Sequence, residues 1–219
     1  MSGAPLFKYY TERQWAERFM DGELLCRALS YFCDYEDGIR GDLNEGKSIF
    51  RPQAGLVIKN QTRGTTFTLA EGAFEADVKR DEIFVFCLSG VLSTGLARQF
   101  TAQACVEVRD RQVLCDRVKA ALPAEATVFA RPVDYYNVPD AVGPRWALPE
   151  LIATSKVVSD DYQMQDEFRV VFSTTDALEF EKVSLRLVLG RRDRARSDTH
   201  PSLTLNVGSL SDICVLHTF

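Results

Sequence analysis

The sequence predicts an α+β fold of mixed, mostly antiparallel sheets with a few short helices. Three observations carry that prediction. The chain opens strand–helix–strand between Leu6 and Ala28. Its most apolar run, Glu82-Ile83-Phe84-Val85-Phe86-Cys87-Leu88, reads as a central strand buried on both faces. Strand-like runs crowd the later half with few helices between them, unlike the alternation of a doubly wound parallel sheet.

The elements follow in order. Leu6-Phe7-Lys8-Tyr9-Tyr10 is a first strand. Thr11-x-x-Gln14 reads as a capping box, and Trp15, Phe19 and Met20 fall on one helical face ended by Asp21-Gly22. Leu24-Leu25-Cys26-Arg27-Ala28 resumes as a strand. Residues 33–64 are polar and rich in glycine and read as a long loop, a length that is usually functional or mobile. Residues 65–69 alternate as a strand. Residues 92–100 form a short helix opened by Ser93 or Thr94, and 105–108 a strand. Residues 112–122 are an amphipathic helix with Val113, Leu114, Val118 and Ala121 inward, closed by Pro123. A strand at 127–133, a helix after Pro149 within 146–156, and strands at 167–172, 183–189 and 203–207 complete the core. Ser209 to Ile213 opens a last short helix.

The length of 219 residues suits one domain over residues 1–219, with the strand pair within 183–207 as an appended hairpin. A chain this long buries roughly 70% of its unfolded surface. A formal net charge of -5 argues against a broadly basic nucleic-acid face and leaves room for a local basic patch. The six cysteines include no C-x-x-C pair and there are two histidines, so no structural zinc site is expected. Cys87 and Cys105 sit in apolar runs as small core residues. The N-terminus shows no signal-like segment and no apolar run approaches membrane-spanning length, so a reducing cytoplasm, with no membrane partner, is expected.

Gln165-Asp166-Glu167 leads into the apolar run Phe168-Arg169-Val170-Val171-Phe172. A carboxylate entering a buried strand is costly unless it is paired or put to chemical use. On a strand Gln165 and Glu167 share a face, which suits a catalytic acid with an orienting amide. Arg169 shares that face too, so a structural Glu167–Arg169 ion pair is the competing reading. The acidic stretch 34–45 resembles a calcium loop, but Ile39 stands where the turn glycine belongs, so a solvated loop is expected. Arg191 to Arg196 carries four arginines, suited to RNA phosphates, an acidic partner or a solvated hairpin tip. Glycine-rich phosphate cradles are missing, and His200 and His217 lie far in sequence from any nucleophile.

The order of Leu6-Phe7-Lys8-Tyr9-Tyr10, Gly22-Glu23-Leu24-Leu25-Cys26-Arg27-Ala28, Ser30-Tyr31-Phe32 and Gln165-Asp166-Glu167 resembles that of ADP-ribosyltransferase folds. The chain is also similar to an uncharacterised bacterial protein family that opens on the same Leu-Phe-Lys-Tyr-Tyr type of strand. That family carries a later run like Tyr162-x-x-Gln165-x-Glu167-Phe168-Arg169. The transferase resemblance implies NAD as substrate, Glu167 as catalytic acid and Gln165 as orienting residue. It implies Ser30 or Tyr31 at the middle motif, Lys8 or Arg27 on the pyrophosphate, and Tyr9 beside Lys8 in the cofactor site. Lys8 stands where the family has Arg or His, and a lysine lacks the planar fork of a guanidinium. The function expected is NAD-dependent ADP-ribosyl transfer to a protein or nucleic acid, or NAD hydrolysis, in a toxin or phage-conflict setting. A non-catalytic protein- or nucleic-acid-binding module is the alternative, and a metal-dependent nuclease built on the 34–45 loop a second one.

Overall fold

The computed structural model describes residues 3–34, 41–140, 148–189 and 199–219. In chain order the elements are β1 (Leu6–Tyr10), α1 (Arg13–Met20), β2 (Glu23–Ala28), α2 (Leu29–Asp34), β3 (Lys47–Phe50), β4 (Leu56–Asn60), β5 (Thr65–Leu69), β6 (Gly72–Asp77) and β7 (Phe84–Ser89). Then come α3 (Thr94–Gln99), β8 (Ala104–Val108), α4 (Arg111–Ala120), β9 (Thr127–Pro132), β10 (Asp134–Tyr136), α5 (Pro149–Ala153), β11 (Ser155–Val157) and α6 (Asp160–Gln163). The last are β12 (Glu167–Ser173), β13 (Ser184–Leu189), β14 (Ser202–Asn206) and β15 (Cys214–Thr218). The α+β class is as the sequence predicts.

The centre is an eight-stranded antiparallel sheet. Its main path is β14-β2-β7-β1-β8-β15, and β12 and β9 extend it from the other edge of β7. The central apolar run therefore does become the central strand. A three-stranded sheet, β13-β6-β3, a β4–β5 hairpin and a parallel β10–β11 pair complete the set.

Alternation along the strands sorts side chains between two cores. Leu24, Cys26, Phe86, Leu88, Phe168, Val170 and Phe172 face α1 and α4, which contribute Ala16, Phe19, Leu114 and Val118. Val85 and Val171 face the opposite way, toward Ala76, Ile152, Ala153, Ala177 and Leu178. Glu167 and Arg169 share the Val171 face.

Several expectations are corrected. The region 33–64 is not a single loop: it holds β3 and β4, and α2 ends within it. In β3, Ser48 and Ile49 are both buried, and the strand pairs antiparallel with β6. The helix expected within 146–156 ends at Ala153, and Ser155–Val157 pairs with β10 instead. Trp146 lies outside the described residues. Strands β13 and β14 do not form a hairpin, because β13 pairs with β6 and β14 with β2, in different sheets. Residues 209–213 form turns that lead into β15. The first helix has Glu12 at its N-cap with no side-chain cap bond, so the Thr11 capping box does not form. Trp15 is 40% exposed, and Ala16 and Phe19 are the inward residues. Ser93 does cap α3, accepting from the Gly95 and Leu96 amides.

Candidate functional site

The site begins where the central sheet forks. Near the start of β7, Val85 and Phe84 pair with Arg27 and Ala28 of β2. At its end, Ser89 pairs with Phe7 of β1. Between these attachments the Cys87 carbonyl meets no strand, and Lys8 Nζ donates to it at 2.7 Å while lying 4.5 Å over the Phe86 ring. A buried carbonyl at a strand separation needs such a donor. The link between the diverging strands is α1, whose Phe19 stacks on Phe86 with ring centroids 5.4 Å apart. Gly22, at φ 101, then turns the chain into β2 so closely against Gly208 that a Cβ would meet its carbonyl oxygen at 2.2 Å.

The fork opens a cleft of about 610 Å³. Six of the residues singled out in the sequence line it: Lys8, Tyr9, Arg27, Tyr31, Gln165 and Glu167. The Arg27 guanidinium lies 4.8 Å over the Tyr31 ring. Tyr9 donates through its hydroxyl to the Val91 carbonyl and accepts from the Ser93 amide, both at 2.8 Å. Ser30 does not join them. It lies buried on α2, its hydroxyl 3.3 Å from Nδ1 of His200, whose Nε2 is 3.7 Å from Asp34. Sequence distance had set His200 apart from Ser30; the crossing of the chain into β14 brings it there.

At the floor, Glu167 is locked in a buried ion network. Arg169 Nε donates to its Oε1 at 2.7 Å and Lys156 Nζ to its Oε2 at 2.8 Å. Arg169 also forks onto Glu45 at 2.5 and 2.8 Å and donates to the Ala153 carbonyl at 2.7 Å. The expected Glu167–Arg169 ion pair is therefore present, on a strand paired along both edges. Burial opposes ionisation of Glu167, yet the Arg169 and Lys156 charges outweigh it and hold the carboxyl well below the usual range. Burial likewise opposes the charge on Lys156, and Glu167 and Glu45 overcome it. The neighbouring Cys87 thiol is pushed up to about 12, by burial first and then by Glu167.

Gln165 reaches the cleft by a different route from the one expected. It precedes β12, and Asp166 between it and Glu167 is in the left-handed region at φ 42. Simple strand alternation therefore does not relate the two side chains. Gln165 is fixed by its Nε2 donating to the Asp161 carbonyl at 2.9 Å and by its own carbonyl accepting from Ser89 Oγ at 2.5 Å. Asp166 is clamped to Gly90, whose amide donates to the Asp166 carbonyl at 2.7 Å. A Cβ on Gly90 would meet Asp166 Oδ2 at 2.1 Å.

Sequence reasoning missed Lys156 and the parts played by Asp42 and Glu45. Lys156 carries one signal, a cation set between Ser155 and two valines at the end of an apolar helix. Nothing local distinguishes Asp42 and Glu45 from the other acids of residues 34–45. Of that acidic stretch, residues 35–40 lie outside the described residues, as do Arg191 to Arg196. Among the described residues, no three His, Cys, Asp or Glu side chains gather as a metal site. None of the described helices is long and apolar enough to cross a membrane. No family model, curated protein or solved structure matches this chain.

Proposed function

We propose that the cleft binds NAD in an ADP-ribosyltransferase-like fold, and that the protein transfers ADP-ribose to a protein or nucleic acid, or hydrolyses NAD. A toxin or phage-conflict role fits such an activity. The observation that carries the reading is the convergence on one cleft of Lys8, Tyr9, Arg27, Tyr31, Gln165 and Glu167. These residues are distant in sequence, and they combine what a dinucleotide needs: cations for phosphate and aromatic faces for rings. In the reaction the C1′–N bond to nicotinamide breaks, the ring leaves with the bonding pair, and positive charge builds on the ribose. An ionised Glu167 stabilises that charge, and Gln165 orients the ribose. A nucleophile then bonds to C1′ and gives up its proton.

A second reading, a non-catalytic binding module, is favoured by one observation. Both oxygens of Glu167 are already engaged by Arg169 and Lys156. The deciding experiment follows nicotinamide release from NAD, with cell lysate supplying acceptors, for the wild type and Glu167→Gln at matched folding. The transferase reading expects release by the wild type and a fall of at least about 100-fold in the variant, the scale of a lost electrostatic stabiliser. Release by neither protein, with acceptors present, favours the protein- or nucleic-acid-binding module.

A further inference from the structure

The network under the cleft has one more acid than base. Asp42, Glu45 and Glu167 face Lys156 and Arg169, and all five are buried. Glu45 and Glu167 have both cations between them. Asp42 is left over: its Oδ1 accepts from the Asn44 amide at 2.8 Å, and its Oδ2 is buried without a hydrogen-bond partner. The turn that holds Asp42 is fixed from two sides, by its amide donating to the Phe32 carbonyl at 2.9 Å and its carbonyl accepting from the Glu45 amide at 2.8 Å. The side chain therefore cannot easily swing to water. A buried oxygen with no donor is satisfied at least cost by a proton.

The groups facing Asp42 come from four elements. Glu45 lies in its own turn, Lys156 on β11, Arg169 on β12 and Tyr162 on α6. Tyr162 links them physically: its ring lies 4.7 Å from Lys156 Nζ, and its hydroxyl donates to the Gly41 carbonyl at 2.6 Å. Lys156 Nζ is 2.8 Å from Glu167 and 3.9 Å from Glu45, so Lys156, like Arg169, is shared between the cleft floor and the acidic turn.

We propose that Asp42 is the proton-binding residue of this site, and that its protonation removes the excess negative charge of the acidic turn beneath the Lys156–Glu167 pair and so sets the charge shown to the cleft. With a proton on Asp42 Oδ2, two carboxylates balance two cations. Without it, the network holds one net negative charge, and an anionic ligand entering against Lys156 meets that repulsion. Ligand binding and proton uptake at Asp42 therefore favour each other. Burial, and then Glu45, push the Asp42 carboxyl up to about 6, which places the change in mildly acidic solution, above the ordinary carboxylate range.

The inference rests on the cleft being the working site, but its test needs no NAD, so it fails or stands apart from the transferase reading. Side-chain ¹³C shifts of Asp42 and Glu167 and the ¹⁵N shift of Lys156 Nζ are followed from pH 4.5 to 8. The expected result is a common midpoint near pH 6 for all three, with the Glu167 and Lys156 movements abolished in Asp42→Asn. Asparagine keeps the Oδ1 acceptor and removes the charge. Glu167 and Lys156 shifts that stay flat in the wild type, or that move equally in the variant, overturn the proposal. The wild-type Asp42 shift decides independently of how the variant folds, since a midpoint in the ordinary carboxylate range also overturns it.

Discussion

Glu167 shows how one residue carries two readings at once. Its pairing with Arg169 follows from spacing, because positions two apart on a strand share a face. Removing one partner of such a buried pair typically costs about 3–5 kcal/mol, because an uncompensated charge stays behind. Activity lost on truncating Glu167 therefore needs a folding control. Asp42 carries the opposite linkage from Glu167. Its folded-state pKa rises from the ordinary 3.8 to about 6, so the folded protein holds the proton more tightly than the unfolded chain. That contribution is complete below the unfolded value and is lost as pH rises through the window from about 4 to about 6. Asp42→Asn is expected to remove it, making the variant more stable than the wild type at pH 7 by roughly 2–3 kcal/mol. Urea unfolding at several values across that window checks this; a constant difference between the two proteins contradicts it. Glu167, held low, contributes stability that is lost only in more acidic solution.

Among the elements, β7 decides where the site lies. It pairs along one edge with β12 and shares the other between β2 and β1. Its run of apolar residues made it legible as a buried strand. The fork was not legible, because it depends on where two partners attach and neither attachment leaves a mark in the run itself. Lys8 is the local answer to the fork. Lys8→Met is expected to lower stability by about 1–2 kcal/mol, since the Cys87 carbonyl loses its donor. Urea unfolding of the variant measures it, and a midpoint unchanged from the wild type would mean that solvent serves the carbonyl equally well. The same side chain cannot be assigned to a ligand on sequence order alone, because its ammonium is already engaged by the fold. Helix α1 gives a parallel case: Phe19 was legible as an inward residue, but the exposure of Trp15 follows from how the helix lies across Phe86.

For the whole molecule, the cleft is a product of chain crossing. Arg27 and Tyr31 bracket the junction of β2 and α2, and Gln165 and Glu167 arrive at the start of β12, along the opposite edge of β7. Among the described residues no carboxylate pairs with Arg27, whose guanidinium rests on Tyr31. Arg27→Gln is therefore expected to leave unfolding without ligand nearly unchanged and to weaken NAD binding by about 10- to 100-fold, the range for a lost hydrogen bond to a charged group. The rise in melting temperature with added NAD reads both at once. An equal NAD-induced rise in wild type and variant removes Arg27 from the binding site.

The strands β1, β2, β5, β7, β8, β9, β12, β13 and β14 and the helices α1, α3, α4 and α5 are written locally, in apolar runs, alternation, Pro149 and a Ser93 cap. The Glu167–Arg169 pair belongs with them, because two residues on one strand need no knowledge of the rest of the chain. The partners of β13 and β14, the strands within 33–64, the separation of Ser30 from the cleft and the recruitment of Lys156, Glu45 and Asp42 depend on contacts across the chain. The physical reason is the difference between a periodic signal and a pairing. Hydrophobic period states which face of a segment is buried, whereas charge balance in a buried network is settled among segments that meet only after folding.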